Sequence, residues 1–162
     1  MFNLSKHISK IAHLNLREEK HGEDTVLACD VKIEADVTND FLSYLSPTLK
    51  GSLYEKLNDQ GELLNDGHMP TLRYPALPDL LWDGTMEAEF IIHGEKKSGD
   101  MVFDASVTKL HLGCKEGGTV TITFRVSLHP TAEQSGRLAA LLGQDAKVSV
   151  HPPEDSNDGD VA

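Results

Sequence analysis

The chain has 162 residues, 39% hydrophobic and 25% charged, with a formal net charge of −11. That length and balance describe one ordinary globular domain with a polar end to spare, large enough to need neither a metal nor a disulfide staple. The acidity disfavours phosphate backbones and anionic membranes unless the few Lys and Arg gather on one face, and it suits a basic protein partner.

The opening "MFNLSKHISK" lacks the apolar core of a signal peptide, and no stretch approaches the ~20 apolar residues of a membrane span. A cytoplasmic, non-membrane protein is the simplest expectation. "IAHLNLR" reads as a short strand from Ile11 to Arg17, with Ala12, Leu14 and Leu16 on one face. A charged turn at Gly22 leads into "TVLACDVKIEADV", where Leu27, Cys29, Val31, Ile33, Ala35 and Val37 alternate with charged residues. That is the signature of a half-buried antiparallel strand. Cys29 and Cys114 both fall in strand-like segments, as buried reduced thiols do.

The period then changes. Asn39 is a candidate cap for a short helix carrying Phe41, Leu42 and Leu45, and Pro47 suits the first turn of a second, with Leu49, Leu53 and Leu57 on one stripe. Residues 58–79 hold Gly61, Gly67, Pro70, Pro75 and Pro78 and read as a long loop, either a packed excursion or a binding element.

Three more strands follow. "TMEAEFII" turns Met86, Ala88, Phe90 and Ile92 inward. "DMVFDASVTKLHL" does so with Phe103, Ala105 and Val107, then switches to Leu110 and Leu112. One extra residue flips the alternation, so a β-bulge is predicted near Thr108 and Lys109. Gly117 and Gly118 supply the positive φ of a hairpin before "TVTITFRVSL", whose inward set is Val120, Ile122, Phe124, Val126 and Leu128. Thr131 and Gln134 form a capping box for a helix with Leu138, Leu141 and Leu142 on its apolar side. Gly143 ends it, and "AKVSV" returns as a strand. The pattern specifies an α+β domain over residues 1–152: a mostly antiparallel β-sandwich or partly open barrel with two or three short helices. Residues 153–162 form a disordered acidic tail carrying Glu154, Asp155, Asp158 and Asp160.

Catalytic signatures are missing. No "GxSxG", "HExxH", Walker loop or dinucleotide fingerprint occurs. Glu87 and Glu89 share what reads as a solvated strand face beside Asp79 and Asp83. His111 and Cys114 are one close pair of metal-ligand types, with His93 and His129 at strand ends, whereas zinc sites usually announce themselves as two pairs. Neither enzyme activity, nor a metal, nor a cofactor is expected. For nucleic acid, Lys6, Lys10, Arg17 and Lys20 cluster early, and Lys96, Lys97, Lys109 and Lys115 mark the turns around one strand. Tyr44, Tyr54, Tyr74 and Trp82 are candidate stacking surfaces. The binding set singled out is Arg73, Tyr74, Trp82, Lys96 and Lys97.

Three stretches, "HGEDTVLACDVKIEADVTNDFLSYLSPTL", "LRYPALPDLLWDGTM" and "EGGTVTITFRVSLHPTAEQSGRLAALLGQD", together resemble an uncharacterised family of bacteriophage- and prophage-encoded proteins. The resemblance spans most of residues 10–152 and carries no chemistry to transfer. It implies a phage gene product acting in the bacterial cytoplasm, in DNA metabolism or against a host defence. The expectation is a non-catalytic binding protein: an acidic inhibitor or adaptor for a basic host or phage protein. The alternative is a single-stranded-nucleic-acid-binding or recombination accessory protein whose acidic tail competes with the ligand. A homo-oligomer is compatible with either.

Overall fold

Strict alternation of apolar and polar residues makes long strands here, and one of them runs much further than its apolar run suggests. The computed structural model describes residues 2–96 and 99–153. In chain order it holds β1 (Leu4–His21), β2 (Asp24–Thr38), a 3-10 turn (Asn39–Tyr44), α1 (Leu49–Leu53), β3 (Tyr54–Glu55) and β4 (Thr71–Leu72). There follow β5 (Leu80–Trp82), β6 (Met86–Ile92), β7 (Met101–Cys114), β8 (Thr119–Leu128), α2 (Ala132–Ala140) and β9 (Asp145–His151). Every strand pairing is antiparallel.

The pairings of the large sheet return to their starting point. β1 pairs β2, β2 pairs β8, β8 pairs β7, β7 pairs β6, β6 pairs β9, and β9 pairs β1. The short β5 is added along the far end of β7, Leu80 opposite Leu112 and Trp82 opposite Leu110. One face of this ring is apolar. Ile11, Val31, Ile33, Phe90, Leu112, Val120, Ile122, Phe124 and Val126 are at most 1% exposed, each stabilising the fold by about 1.5–3 kcal/mol relative to exposure. Phe2 joins this core between Phe41 and Phe124, with ring centroids 5.0 and 5.4 Å away.

Three register slips bend the strands. The one on β7 lies between Thr108 and His111, and Lys109 there has φ 55°, so the bulge predicted from the switch in alternation is where the sequence placed it. A second slip, between Ile11 and His13, corrects the expected face of "IAHLNLR": Ile11 pairs with Ile33 and is fully buried, Leu14 pairs with Val31, and Leu16 is half exposed. The third lies between Leu4 and His7, with Lys6 at φ 45°.

Asn39 does not cap its helix. It is buried, its N–H donates to Gly118 O at 2.8 Å and its Nδ2 to Met69 O at 2.8 Å. Gly118 beside it has φ 92°, a backbone conformation that favours glycine. Part of the stretch 58–79 is tied to the domain, with Leu72 buried. β4 within it pairs with β3, Leu72 N–H donates to Glu116 Oε2 at 3.0 Å, and Gly117 N–H donates to Pro70 O at 2.8 Å. The second helix is short, and Leu57 lies beyond it. The capping box of α2 is present as expected: Thr131 Oγ1 accepts from Gln134 N–H at 3.1 Å, Gln134 Oε1 accepts from Thr131 N–H at 2.9 Å, and Gly143 takes φ 79°. Leu138 is its one buried apolar residue; Leu142 is exposed. Cys29 and Cys114 are free thiols whose pKa values burial pushes up.

Candidate functional site: a cationic groove and two polar clusters

The outer face of the ring carries the chemistry. Register fixes a row across four strands: His13 of β1 opposite Lys32 of β2, Lys32 opposite Arg125 of β8, and Arg125 opposite Thr108 of β7. Directly opposed like charges destabilise a sheet, yet Lys32 and Arg125 are so placed in a chain of net charge −11. Lys109, strained into the left-handed region by its bulge, and His111 line the same groove, whose volume is about 580 Å³. Among the described residues, Lys32, Lys109 and Arg125 enter no salt bridge. Two carboxylates also line the groove. Asp79 lies over Gly113, which has no side chain to exclude it. Asp30 accepts from Arg17 Nε at 3.1 Å and Nη2 at 3.3 Å, and from Ser127 Oγ at 2.7 Å. Burial acts to raise the Asp30 pKa, but these bonds, with Arg125 nearby, outweigh it and hold the carboxyl below its usual range.

From Arg17 the network continues outward. Its guanidinium also bonds Glu19 Oε2, and Glu19 Oε1 lies 2.7 Å from His129 Nε2 and 3.5 Å from His21 Nε2. Glu19 and His129 sit on β1 and just after β8, with β2 between them. On the strand between them, Ala28 pairs with Arg17 and is 1% exposed.

A second cluster joins β6, β7, β9 and β1. His93 Nδ1 lies 3.2 Å from Asp100 Oδ2 and His93 Nε2 lies 2.7 Å from Ser149 Oγ. Ser149 Oγ accepts the Lys6 backbone N–H at 2.9 Å. Asp100 also accepts from Gly94 N–H at 2.9 Å, the chief cause of its lowered pKa. With the Lys6 N–H donating into it, the Ser149 hydroxyl is free to donate to His93 Nε2, and His93 Nδ1–H to Asp100. This is the atom order of an acyl-transfer relay. A nucleophile also needs an open approach, and Ser149 is 5% exposed; His93 lines a neighbouring cavity of about 690 Å³ that Ser149 does not reach. The arrangement works as a clasp on the base of the β6–β7 hairpin.

The sequence-derived binding set is scattered. Arg73 is occupied, donating to Gly51 O at 2.8 Å and pairing with Glu55 at 2.9 Å. Tyr74 is exposed in a turn. Trp82, 37% exposed, stands on the inner side of β5 and lines a cavity of about 120 Å³ with Phe2, Met86 and Leu110, on the opposite side of the sheet from the cationic row. Lys96 is exposed beyond the other end of β7. From Met101 to Leu110, the partner of Trp82, the strand climbs roughly 30 Å, so Lys96 and Trp82 do not share a site. Lys97 and the tail residues Glu154, Asp155, Asp158 and Asp160 lie outside the described residues. Sequence reasoning missed the Lys32–Arg125 row because the two residues are far apart in the chain and only strand register joins them.

Comparison with protein-family models, with curated proteins and with solved structures returns no match for this chain. Among the described residues, no helix is long and apolar enough to cross a membrane.

Proposed function

We propose that this is a non-catalytic binding protein whose ring of strands is a small barrel, and that the outer-face groove takes the phosphates of a single-stranded nucleic acid. The observation that carries this reading is the opposition of Lys32 and Arg125, with Lys109 strained in beside them and, among the described residues, no salt bridge to any of the three. A cost borne by the free sheet is returned when an anion lies between the charges. No exposed Phe, Tyr or Trp lines the groove, which supports contact with the backbone that is independent of sequence. A cytoplasmic, phage-encoded role in DNA metabolism accords with such a ligand. The competing reading, an acidic inhibitor or adaptor for a basic protein, rests on the net charge of −11.

Fluorescence anisotropy with a labelled single-stranded oligonucleotide tests the proposal. Three phosphate contacts give a salt slope of about −2, so raising salt from ~50 to ~200 mM weakens binding about twentyfold. Lys32→Glu with Arg125→Glu abolishes it. Deleting residues 154–162 tightens it at low salt, where the tail's negative charge competes best; under the inhibitor reading the same deletion weakens capture of the basic partner. Absence of oligonucleotide binding at micromolar protein and low salt removes the nucleic-acid reading.

A further inference from the structure

Glu19, His21 and His129 bring three metal-ligating donor atoms within 4.8 Å of one another on the outer face. Their assembly is built rather than incidental. His13, Asn15, Arg17, Glu19 and His21 alternate onto one face of β1, so Glu19 and His21 project together. His129 precedes Pro130, which biases it to extended backbone and carries the outward alternation of β8 one step further. Arg17 holds Glu19 by Oε2, leaving Oε1 toward the two imidazoles. Arg17 is itself held by Asp30, whose charge offsets that of the guanidinium.

We infer that Glu19, His21 and His129 form a site for a borderline divalent cation of the zinc type. Donors around a tetrahedral ion at 2.0–2.1 Å stand about 3.3 Å apart. The separations of 2.7 and 3.5 Å from Glu19 Oε1 to the two imidazole nitrogens bracket that value, so small side-chain rotations complete the set. Two imidazoles and one carboxylate match zinc, cobalt and nickel better than calcium or magnesium. Three protein ligands leave the fourth position to water. Arg17 is a positioning residue, fixing which carboxylate oxygen faces the metal.

The test needs no nucleic acid and stands or falls apart from the groove. The full chain is stripped with chelator, then titrated with zinc by calorimetry and with cobalt(II) by visible absorption. The expected result is one saturable site per chain with a tetrahedral cobalt spectrum, kept by the control His151→Ala. His21→Ala and His129→Ala lose it with an unchanged melting curve, and Glu19→Gln, which preserves side-chain shape should a histidine variant misfold, loses it too. Arg17→Gln weakens binding about tenfold. Absence of saturable binding in the unaltered chain overturns the assignment, as does binding that survives both histidine substitutions.

Discussion

Lys6 and Lys109 occupy the same unusual backbone. Each stands at a register slip in a long strand, each has positive φ, 45° and 55°, and each is a residue that rarely adopts that conformation. What surrounds them differs. The strain at Lys6 aims its N–H at Ser149, whose hydroxyl leads on to His93 and Asp100, and so ties β1 to β9 and the β6–β7 hairpin. The strain at Lys109 is answered by no such clasp. It places a cation on a groove that already holds two unbridged ones, Lys32 and Arg125. A bulge is a device for re-aiming a residue; here one copy consolidates the fold and the other equips a surface.

The largest effect that separates them is expected at the clasp. Ser149→Ala leaves the Lys6 N–H and His93 without their partner in a buried setting, costing about 1–3 kcal/mol. Thermal denaturation should show a loss of several degrees with oligonucleotide affinity unchanged. Unaltered protein should also resist a fluorophosphonate; stoichiometric labelling at Ser149 would make the clasp a nucleophile and break the comparison. Next comes Lys109→Gly. Glycine relieves about 1–2 kcal/mol of left-handed strain but loses part of that gain to unfolded-state entropy. The variant is therefore more stable by roughly 0.5–1 kcal/mol by these opposing terms. It should bind oligonucleotide more weakly, with a salt slope shallower by about 0.7. Lys6→Gly sharpens the contrast: a similar gain in stability with no change in salt slope. The smallest effect concerns Glu19, whose folded pKa of about 2 lies below its ordinary 4.5. A lowered carboxylate pKa contributes stability that is fully present above pH 4.5 and is lost as pH falls toward 2. Glu19→Gln should flatten the acid limb of the stability curve across that window, matching the unaltered protein toward pH 2 and lying slightly below it near pH 7.

The inner face of this protein was legible in its sequence because a period of two needs no partner to be read. β2, β6 and β8 announce their buried sides without knowledge of their neighbours, and even the slip at Thr108–Lys109 shows as a change of phase. The first seven residues of β1 were not legible: the bulge at Lys6 breaks the alternation, and the inward Ser9 is polar. The outer face was legible hardly at all. Lys32 and Arg125 become neighbours only through the pairing of β2 with β8, Glu19 reaches His129 only across β2, and Ser149 meets His93 only where β9 joins β6. The sequence-based choice of Trp82 and Tyr74 followed residue type, and type does not say which side of β5 a ring occupies.

Closure of the ring has a consequence for how the chain is made. The first strand is sealed by the last, and Lys6 N–H and Ser149 Oγ stand 143 positions apart. At about 5–20 residues per second, β1 waits on the order of ten to thirty seconds for β9 to emerge from the ribosome. Throughout that delay its outer edge is an unfilled template, open to any other extended chain nearby. Lys6 and Lys10 lie in the stretch that waits, and lysines on an exposed edge are a deterrent to such mispairing. These lysines on β1 thus protect the nascent protein from its neighbours before β9 arrives to take its place.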